Sequence, residues 1–135
     1  MEIILDADVI VSGEKNIFDL RGWLESRAED RFEVAAITIA ELWHGVERAS
    51  AVHRTSRQKY LEALVAVLPI IAYTEETAYF HARIWSKLEA SGKIIGAYDL
   101  IVAATAVQRG SILATFNRRH FSQVDGLSII EPKRT

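Results

Sequence analysis

Short apolar segments without a helical period alternate with longer amphipathic segments along almost the whole chain. The short segments are rich in β-branched residues, which is typical of buried strands, and the longer ones repeat their apolar residues at helical intervals. The strand-like segments read EIILDADVIV, RFEVAAI, IIAY, ILATF and LSIIE. Because strands that alternate with helices form parallel sheets covered on both faces, we predict an α/β fold. It is a three-layer sandwich with a central, mainly parallel β-sheet flanked by helices.

Capping residues indicate where several of the predicted helices begin and end. Thr38 and Glu41 form a capping-box pattern, which places the start of one helix near Thr38. Another helix begins at Thr74 and ends at Gly92, and a later one, buried nearly all round, ends at Gly110. The helical segments read IFDLRGWLESRA, TIAELWHGVERAS, RTSRQKYLEALVAVL, TEETAYFHARIWSKLEASG and AYDLIVAATAVQRG.

The composition narrows the classes of function. The 135 residues include no cysteine, which excludes thiol catalysis, cysteine-based zinc sites and disulfides. A formal net charge of -2 argues against a chain that wraps nucleic acid, so any binding of a polyanion must be local. The length suits a single domain, predicted over residues 1–135, and no signal-like or membrane-spanning segment is visible. We therefore expect a cytoplasmic protein.

Acidic and amide side chains follow several of the predicted strands. Parallel sheets bind ligands beyond the carboxyl ends of their strands, so we expect these side chains to meet at one edge. Clustered carboxylates repel one another and normally need a counter-charge, most often a divalent cation. Mg²⁺ prefers oxygen ligands and keeps several waters. The residues that would suit it are Asp6, Glu41 and Asp99, with Asn117 lending an amide oxygen.

The chemistry predicted for this edge is hydrolysis of a phosphodiester bond. A divalent cation held by open carboxylates can activate water and stabilise the charge of the transition state. Arg118 and Arg119 directly follow Asn117 and could bind flanking phosphates without reading bases. The four histidines form no pair with the spacing of a zinc site.

Each of these residues also has an ordinary structural interpretation. Glu41 could complete a capping box, and Asp99 could cap a helix. Arg118 and Arg119 could belong to a solvated loop. Asp6 is harder to explain in this way, because a strand end rarely buries a carboxylate without a partner. The combination of residues, rather than any one of them, favours a metal site.

The opening stretch IILDADVIV resembles two protein families. One is the haloacid-dehalogenase-like phosphatases, whose opening strand runs into Asp-x-Asp, with the first aspartate as nucleophile and the second as general acid. In that case Asp6 would be phosphorylated and Asp8 would protonate the leaving group. The rest of the chain fits poorly, because ILATFNRRHF supplies no acidic residue where those enzymes have a late acidic pair. This is the weaker alternative.

The second family is the PIN domain, and specifically the VapC-type ribonuclease toxins. The resemblance covers almost the whole chain and is carried by IILDADVIV, ITIAELWHGVERA, IIGAYDLIVAATAVQRG and ILATFNRRHFSQVDGLSIIEP. The third segment is the most diagnostic, because little else requires an aspartate at the start of so apolar a helix. The resemblance implies an acidic site for Mg²⁺, for which Mn²⁺ can substitute. Asp6 and Asp99 would bind directly and Glu41 partly through water, with Thr115 nearby and Asp8 in support.

The resemblance also implies partners and leaves one alternative open. It implies cleavage of a structured RNA such as tRNA to a 5′-phosphate product, a VapB-type antitoxin and a homodimer. The apolar faces at residues 43–46 and 60–68 could present a groove to the antitoxin, or they could pack on each other. The fourth family position, often an aspartate, is Asn117 in this chain. That difference keeps a catalytically weak RNA- or protein-binding module as the alternative, and metal titration would separate the two.

Overall fold

The computed structural model describes residues 1–133, so residues 134–135 of the predicted domain lie outside the described residues. Strands and helices alternate along the chain, as the sequence predicts. In order they are β1 (Glu2–Leu5), α1 (Ala7–Glu14), α2 (Leu20–Ser26), β2 (Arg31–Ala35), α3 (Ala36–Arg48), α4 (Ala51–Val65), β3 (Ile70–Ile71), α5 (Glu75–Ala90), α6 (Ala97–Arg109), β4 (Ile112–Ala114), α7 (Arg118–Phe121) and β5 (Ser128–Ile130).

The strands form one sheet in the order β3-β2-β1-β4-β5, and every neighbouring pair is parallel. The chain builds outward from β1 through β2 to β3 and then crosses to the other side of β1, where β4 pairs Ala114 with Leu5. The direction of winding therefore reverses between β1 and β4. Ligand sites of open parallel sheets lie at the carboxyl ends of the strands at such a reversal.

Helices cover both faces of the sheet, so the protein has two cores. Successive side chains of a strand point to opposite faces. Ile4 of β1 packs in the core formed with α5 and α6, whereas its neighbours Ile3 and Leu5 pack in the core formed with α1, α2, α3 and α4. Strands buried on both faces read as continuous apolar runs, which explains the strand-like segments of the sequence. The predicted three-layer α/β sandwich with a parallel sheet is confirmed.

The opening strand is shorter than predicted, because a helix begins within the segment EIILDADVIV. β1 ends at Leu5, and the Asp6 side chain accepts a hydrogen bond of 2.9 Å from the backbone N–H of Ala7, as an N-cap residue does. Asp8 lies in the first turn of α1. Val9 is buried as part of this helix rather than of a strand. A short apolar run alone does not distinguish a buried strand from a buried helix.

The capping box predicted at Thr38 and Glu41 is wrong. Helix α3 begins at Ala36, and its N-cap residue Ala35 makes no side-chain hydrogen bond. Thr38 is fully buried inside the helix, two residues after its start. The apolar segment RFEVAAI was predicted as a strand throughout, but β2 gives way to α3 after Ala35. Glu41 therefore does not cap α3.

Two other helix ends follow the prediction, and one short helix does not. Thr74 caps α5 through a hydrogen bond accepted from the N–H of Thr77. Gly110 ends α6 with φ of 64°, a left-handed conformation that glycine adopts without steric cost. The four residues of α7 were predicted as part of a loop. No helix within residues 1–133 is both long enough and apolar enough to cross a membrane.

Candidate active site

Thr115 links the carboxyl ends of β1 and β4, which are neighbours in the sheet. Its Oγ1 donates a 2.8 Å hydrogen bond to Asp6 Oδ2 and also lies 3.3 Å from Asp8 Oδ2. Asp8 Oδ2 accepts a further hydrogen bond of 3.1 Å from the N–H of Phe116, and Thr115 Oγ1 accepts one of 3.0 Å from the N–H of Asn117. The first turn of α1 therefore holds the segment that follows β4.

Glu41 of α3 and Asp99 of α6 bring two more carboxyl groups to this edge. One oxygen of Glu41, Oε1, is buried without a hydrogen-bond partner among the described residues, and the same is true of Asp8 Oδ1. Asp99 lies in the first turn of α6, whose N-cap residue Gly96 offers no side-chain hydrogen bond. The interpretation of Asp99 as a helix cap is therefore wrong.

Burial raises the pKa of three of these carboxyl groups, and repulsion from neighbouring carboxyl groups raises it further for Asp6 and Glu41. The pKa of Asp6 rises to about 7, chiefly because it is buried and secondly because of the charge of Asp8, against the hydrogen bond from Thr115. Burial also raises the pKa of Asp8. The pKa of Glu41 is raised by burial and then by the charges of Asp99 and Asp8. The four carboxyl groups are thus close enough to interact, although they come from different segments.

The donor set fits a divalent cation. Asp8 Oδ1 and Glu41 Oε1 are buried oxygens without partners, and no lysine or arginine in residues 1–133 forms an ion pair with these four carboxyl groups. Over the same residues, no three acidic or histidine side chains are arranged closely enough to hold a metal ion by themselves. Mg²⁺ needs only one or two carboxylates and keeps several waters. Asp6 and Asp99 could therefore hold it directly.

The polar and basic residues 117–119, which follow β4, are exposed to solvent. Asn117 is exposed and occupies the N-cap position of α7 without a side-chain hydrogen bond. Arg118 Nη2 donates to the carbonyl oxygen of Ile129 over 3.3 Å, and Arg119 is exposed. The amide oxygen predicted from Asn117 and the phosphate contacts predicted for the two arginines stay predictions.

His120 is a neighbour of the acidic group that the sequence did not predict. Its Nε2 lies 3.1 Å from Asp99 Oδ2, and both side chains are partly shielded from solvent. The pair depends on α7, which brings His120 against the start of α6. In the sequence, His120 lies three residues after Asn117, within NRRHF. A helical prediction for this segment would have been needed to place His120 near Asp99.

Comparison with known proteins assigns the family. The family model described as PIN domain matches residues 3–127. The VapC ribonuclease Y4jK of Sinorhizobium fredii is 33% identical over 138 residues, a match that covers 96% of this chain and 96% of that protein. The chain belongs to the PIN domain family of VapC ribonucleases. This PIN domain is therefore a ribonuclease, and the haloacid-dehalogenase-like alternative falls away.

Two further similarities support the assignment. The protein named tRNA(fMet)-specific endonuclease VapC from Salmonella typhimurium is 29% identical to this PIN domain over 99 residues, which covers 73% of this chain and 74% of that one. The crystal structure of DNA-bound VapBC from Salmonella typhimurium superposes with a TM-score of 0.89 at 25% identity, covering 97% of this chain and 98% of that chain. The PIN fold is thus shared over nearly the whole length.

Proposed function

We propose that this PIN domain is a Mg²⁺-dependent endoribonuclease, able to use Mn²⁺, and that it acts in the cytoplasm as the toxin of a VapBC-type pair. One observation carries the proposal: four carboxyl groups from separate segments share one sheet edge without a lysine or arginine partner among the described residues. They belong to Asp6, Asp8, Glu41 and Asp99. A cation that prefers oxygen ligands stabilises such a group of buried and half-buried carboxylates.

The residues of the site take different roles in this proposal. Asp6 and Asp99 bind the cation, with Glu41 acting partly through water and Asn117 lending its amide oxygen. A divalent cation supplies a Lewis acid that activates water and stabilises charge at the scissile phosphate. Thr115 fixes the carboxylate of Asp6 by its 2.8 Å hydrogen bond.

Asp8 has a supporting role, because its Oδ2 is engaged by the backbone after β4. Partners of this kind orient the residues that bind a metal.

The proposed substrate is a structured RNA such as tRNA, cleaved to leave a 5′-phosphate. The Salmonella relative named as a tRNA(fMet)-specific endonuclease supports this class of substrate. Arg118 and Arg119 directly follow Asn117 and are exposed, and in this proposal their cationic side chains contact phosphates on either side of the cleaved bond. Contacts to phosphates position a nucleic acid without reading its bases, so the arginines specify no sequence.

A VapB-type antitoxin is the proposed protein partner, and a homodimer is the proposed assembly. Leu20 and Leu24 of α2 face Tyr60 and Leu64 of α4 across an apolar groove of about 550 Å³ that ends at Val67. Tyr60, Ala63, Leu64 and Val67 of the predicted face 60–68 thus line an open groove, whereas Leu61 of that face and Val46 of the other are buried in the core. An amphipathic segment of the antitoxin would lay its apolar side into this groove.

RNA cleavage by purified protein tests the proposed activity. We expect cleavage with Mg²⁺, none with EDTA, and a loss of at least about 100-fold for Asp6→Asn and Asp99→Asn. Asp125→Asn, an exposed carboxyl group outside the site, is the matched control and should retain activity. Full activity in both site variants would overturn the assignment. Mapping the cleavage sites on total cellular RNA after induced expression would identify the target.

Calorimetric metal titration tests the site independently of cleavage. The proposal predicts that the wild-type protein binds Mg²⁺ and Mn²⁺ and that Asp6→Asn and Asp99→Asn bind them more weakly. Absence of binding to the wild-type protein at millimolar concentration would favour the alternative of an RNA- or protein-binding module.

A further inference from the structure

We propose that His120 is a nitrogen ligand of the metal site, beside Asp99, and that it makes the site prefer Co²⁺ to Mg²⁺, with Mn²⁺ between them. The inference rests on the proposed function, since Asp99 must bind the cation. It adds a donor of a different chemical type to a set that is otherwise made of oxygens. Imidazole nitrogen suits the later first-row transition metals, whereas carboxylate, carbonyl and water oxygens suit Mg²⁺ and Mn²⁺.

The distance between the two side chains carries the proposal. His120 Nε2 and Asp99 Oδ2 are 3.1 Å apart. In an octahedral site with metal–ligand bonds near 2.1 Å, two adjacent ligand atoms are separated by about 3 Å. The 3.1 Å contact of an ion pair between the two side chains is thus also short enough for both atoms to bind one cation. The two side chains are 27% and 29% exposed, so both are accessible to solvent.

Helix α7 holds the ring in this position. Phe121, the next residue, is completely buried in the core formed with α5 and α6, and its ring contacts that of His120 edge-on at 5.6 Å. Gln123 Nε2 donates to the carbonyl oxygen of His120 over 3.1 Å and to that of Ile94 over 3.3 Å. These bonds tie the end of α7 to the segment that leads into α6. The imidazole is thus presented to Asp99 by two anchored elements rather than by a free loop.

The surroundings leave the ring available for this role. In residues 1–133 no other acidic side chain pairs with His120, and its neighbours Arg118 and Arg119 are exposed. A site with Asp99, His120 and bound waters needs few protein ligands, which is compatible with the absence of a three-residue acidic or histidine group in the described chain.

The test compares three metals in one variant series. His120→Phe keeps an aromatic ring beside Phe121 and removes both nitrogens, and His120→Ala serves if that variant does not fold. Calorimetry with Mg²⁺, Mn²⁺ and Co²⁺ gives the three affinities, and the visible spectrum of bound Co²⁺ reports its ligands directly. His53→Phe, at an exposed position on α4, is the matched control.

We expect the loss of affinity to increase in the order Mg²⁺, Mn²⁺, Co²⁺, from about twofold for Mg²⁺ to tenfold or more for Co²⁺, with a changed Co²⁺ spectrum. Equal losses for all three metals with an unchanged spectrum would overturn the inference, because a residue that only positions Asp99 acts on every metal alike. No loss for any metal would overturn it as well.

Failure of the proposed function has a different signature. If the wild-type protein binds none of the three metals, the metal site itself is wrong, and the inference falls with it. If the wild-type protein binds all three metals and Asp99→Asn abolishes binding, the proposed metal site is correct. The His120 variants then decide only whether His120 is one of its ligands.

Discussion

Thr115 Oγ1 and Asp6 Oδ2 are joined by a 2.8 Å hydrogen bond between residues 109 positions apart in the sequence. The bond connects the carboxyl ends of β1 and β4, where the winding of the sheet reverses. Both residues are buried, so water competes little for either group. The hydroxyl thereby stabilises the charged form of a carboxyl group whose pKa is otherwise raised by burial. The hydrogen bond thus links the two strands and favours the charged form of Asp6, which is the form that binds a cation.

Thr115→Val should destabilise the metal-free protein, because it removes the donor to Asp6 and the acceptor for the N–H of Asn117. The expected cost is on the order of 1 to 3 kcal/mol, measured by urea unfolding at pH 8. Thr115→Ser keeps the hydroxyl and should stay close to the wild-type protein. Equal stability of the valine variant and the wild-type protein would show that the bond contributes nothing.

Asp6→Asn should stabilise the metal-free protein at pH 8 but not at pH 4. The pKa of Asp6 rises from 3.8 to about 7 on folding, so the folded state binds more protons than the unfolded state between these pH values. Stability therefore falls as pH rises through this window, and the neutral asparagine removes that loss, on the order of 4 kcal/mol at pH 8. Thermal unfolding of both proteins across the pH range measures it.

Two controls accompany this pH series. Asp125→Asn, which is exposed, should leave the pH dependence unchanged. Saturating Mg²⁺ should reverse the order of stability at pH 8, because only the wild-type site binds the ion tightly, and ligand binding stabilises the folded state. An Asp6→Asn variant that is less stable than the wild-type protein at pH 8 without metal would contradict the expected repulsion.

Asn117→Asp should strengthen binding of divalent cations. The substitution adds one negative charge at an exposed site, so it should cost little stability. We expect tighter binding of Mg²⁺ by calorimetry, with the larger gain in any second binding event. Unchanged binding would mean that residue 117 lies too far from the cation to matter.

Val67→Glu should weaken binding of the antitoxin without affecting RNA cleavage by the free toxin. Val67 is 75% exposed at the end of the apolar groove, and a charge there would have to be buried in the complex. A loss of about tenfold or more in affinity is expected from a pull-down or calorimetric titration with the cognate antitoxin. Val52→Glu is the control, because Val52 is 82% exposed on α4 and does not line the groove.

The alternation of short apolar runs with amphipathic segments was enough to predict the fold. Burial of both sheet faces imposes that pattern locally, so it is visible without knowing which strands are neighbours. The boundaries were less accurate where two apolar elements adjoin without a polar break. Both EIILDADVIV and RFEVAAI pass from a strand into a helix, at Asp6 and at Ala36, while the side chains stay apolar.

The chemistry of the site was predicted from residue types at strand ends, and Asp6, Asp8 and Thr115 do meet there. The amino-acid sequence by itself determined the parallel α/β architecture and the acidic character of one sheet edge, because periodicity and strand ends are local properties. Only the tertiary structure decided that Thr115 bonds Asp6, that Glu41 interacts with Asp99 rather than with a helix end, and that His120 lies beside Asp99. These contacts join residues far apart in the chain, and their distances depend on how the helices pack against the sheet, which no local pattern records.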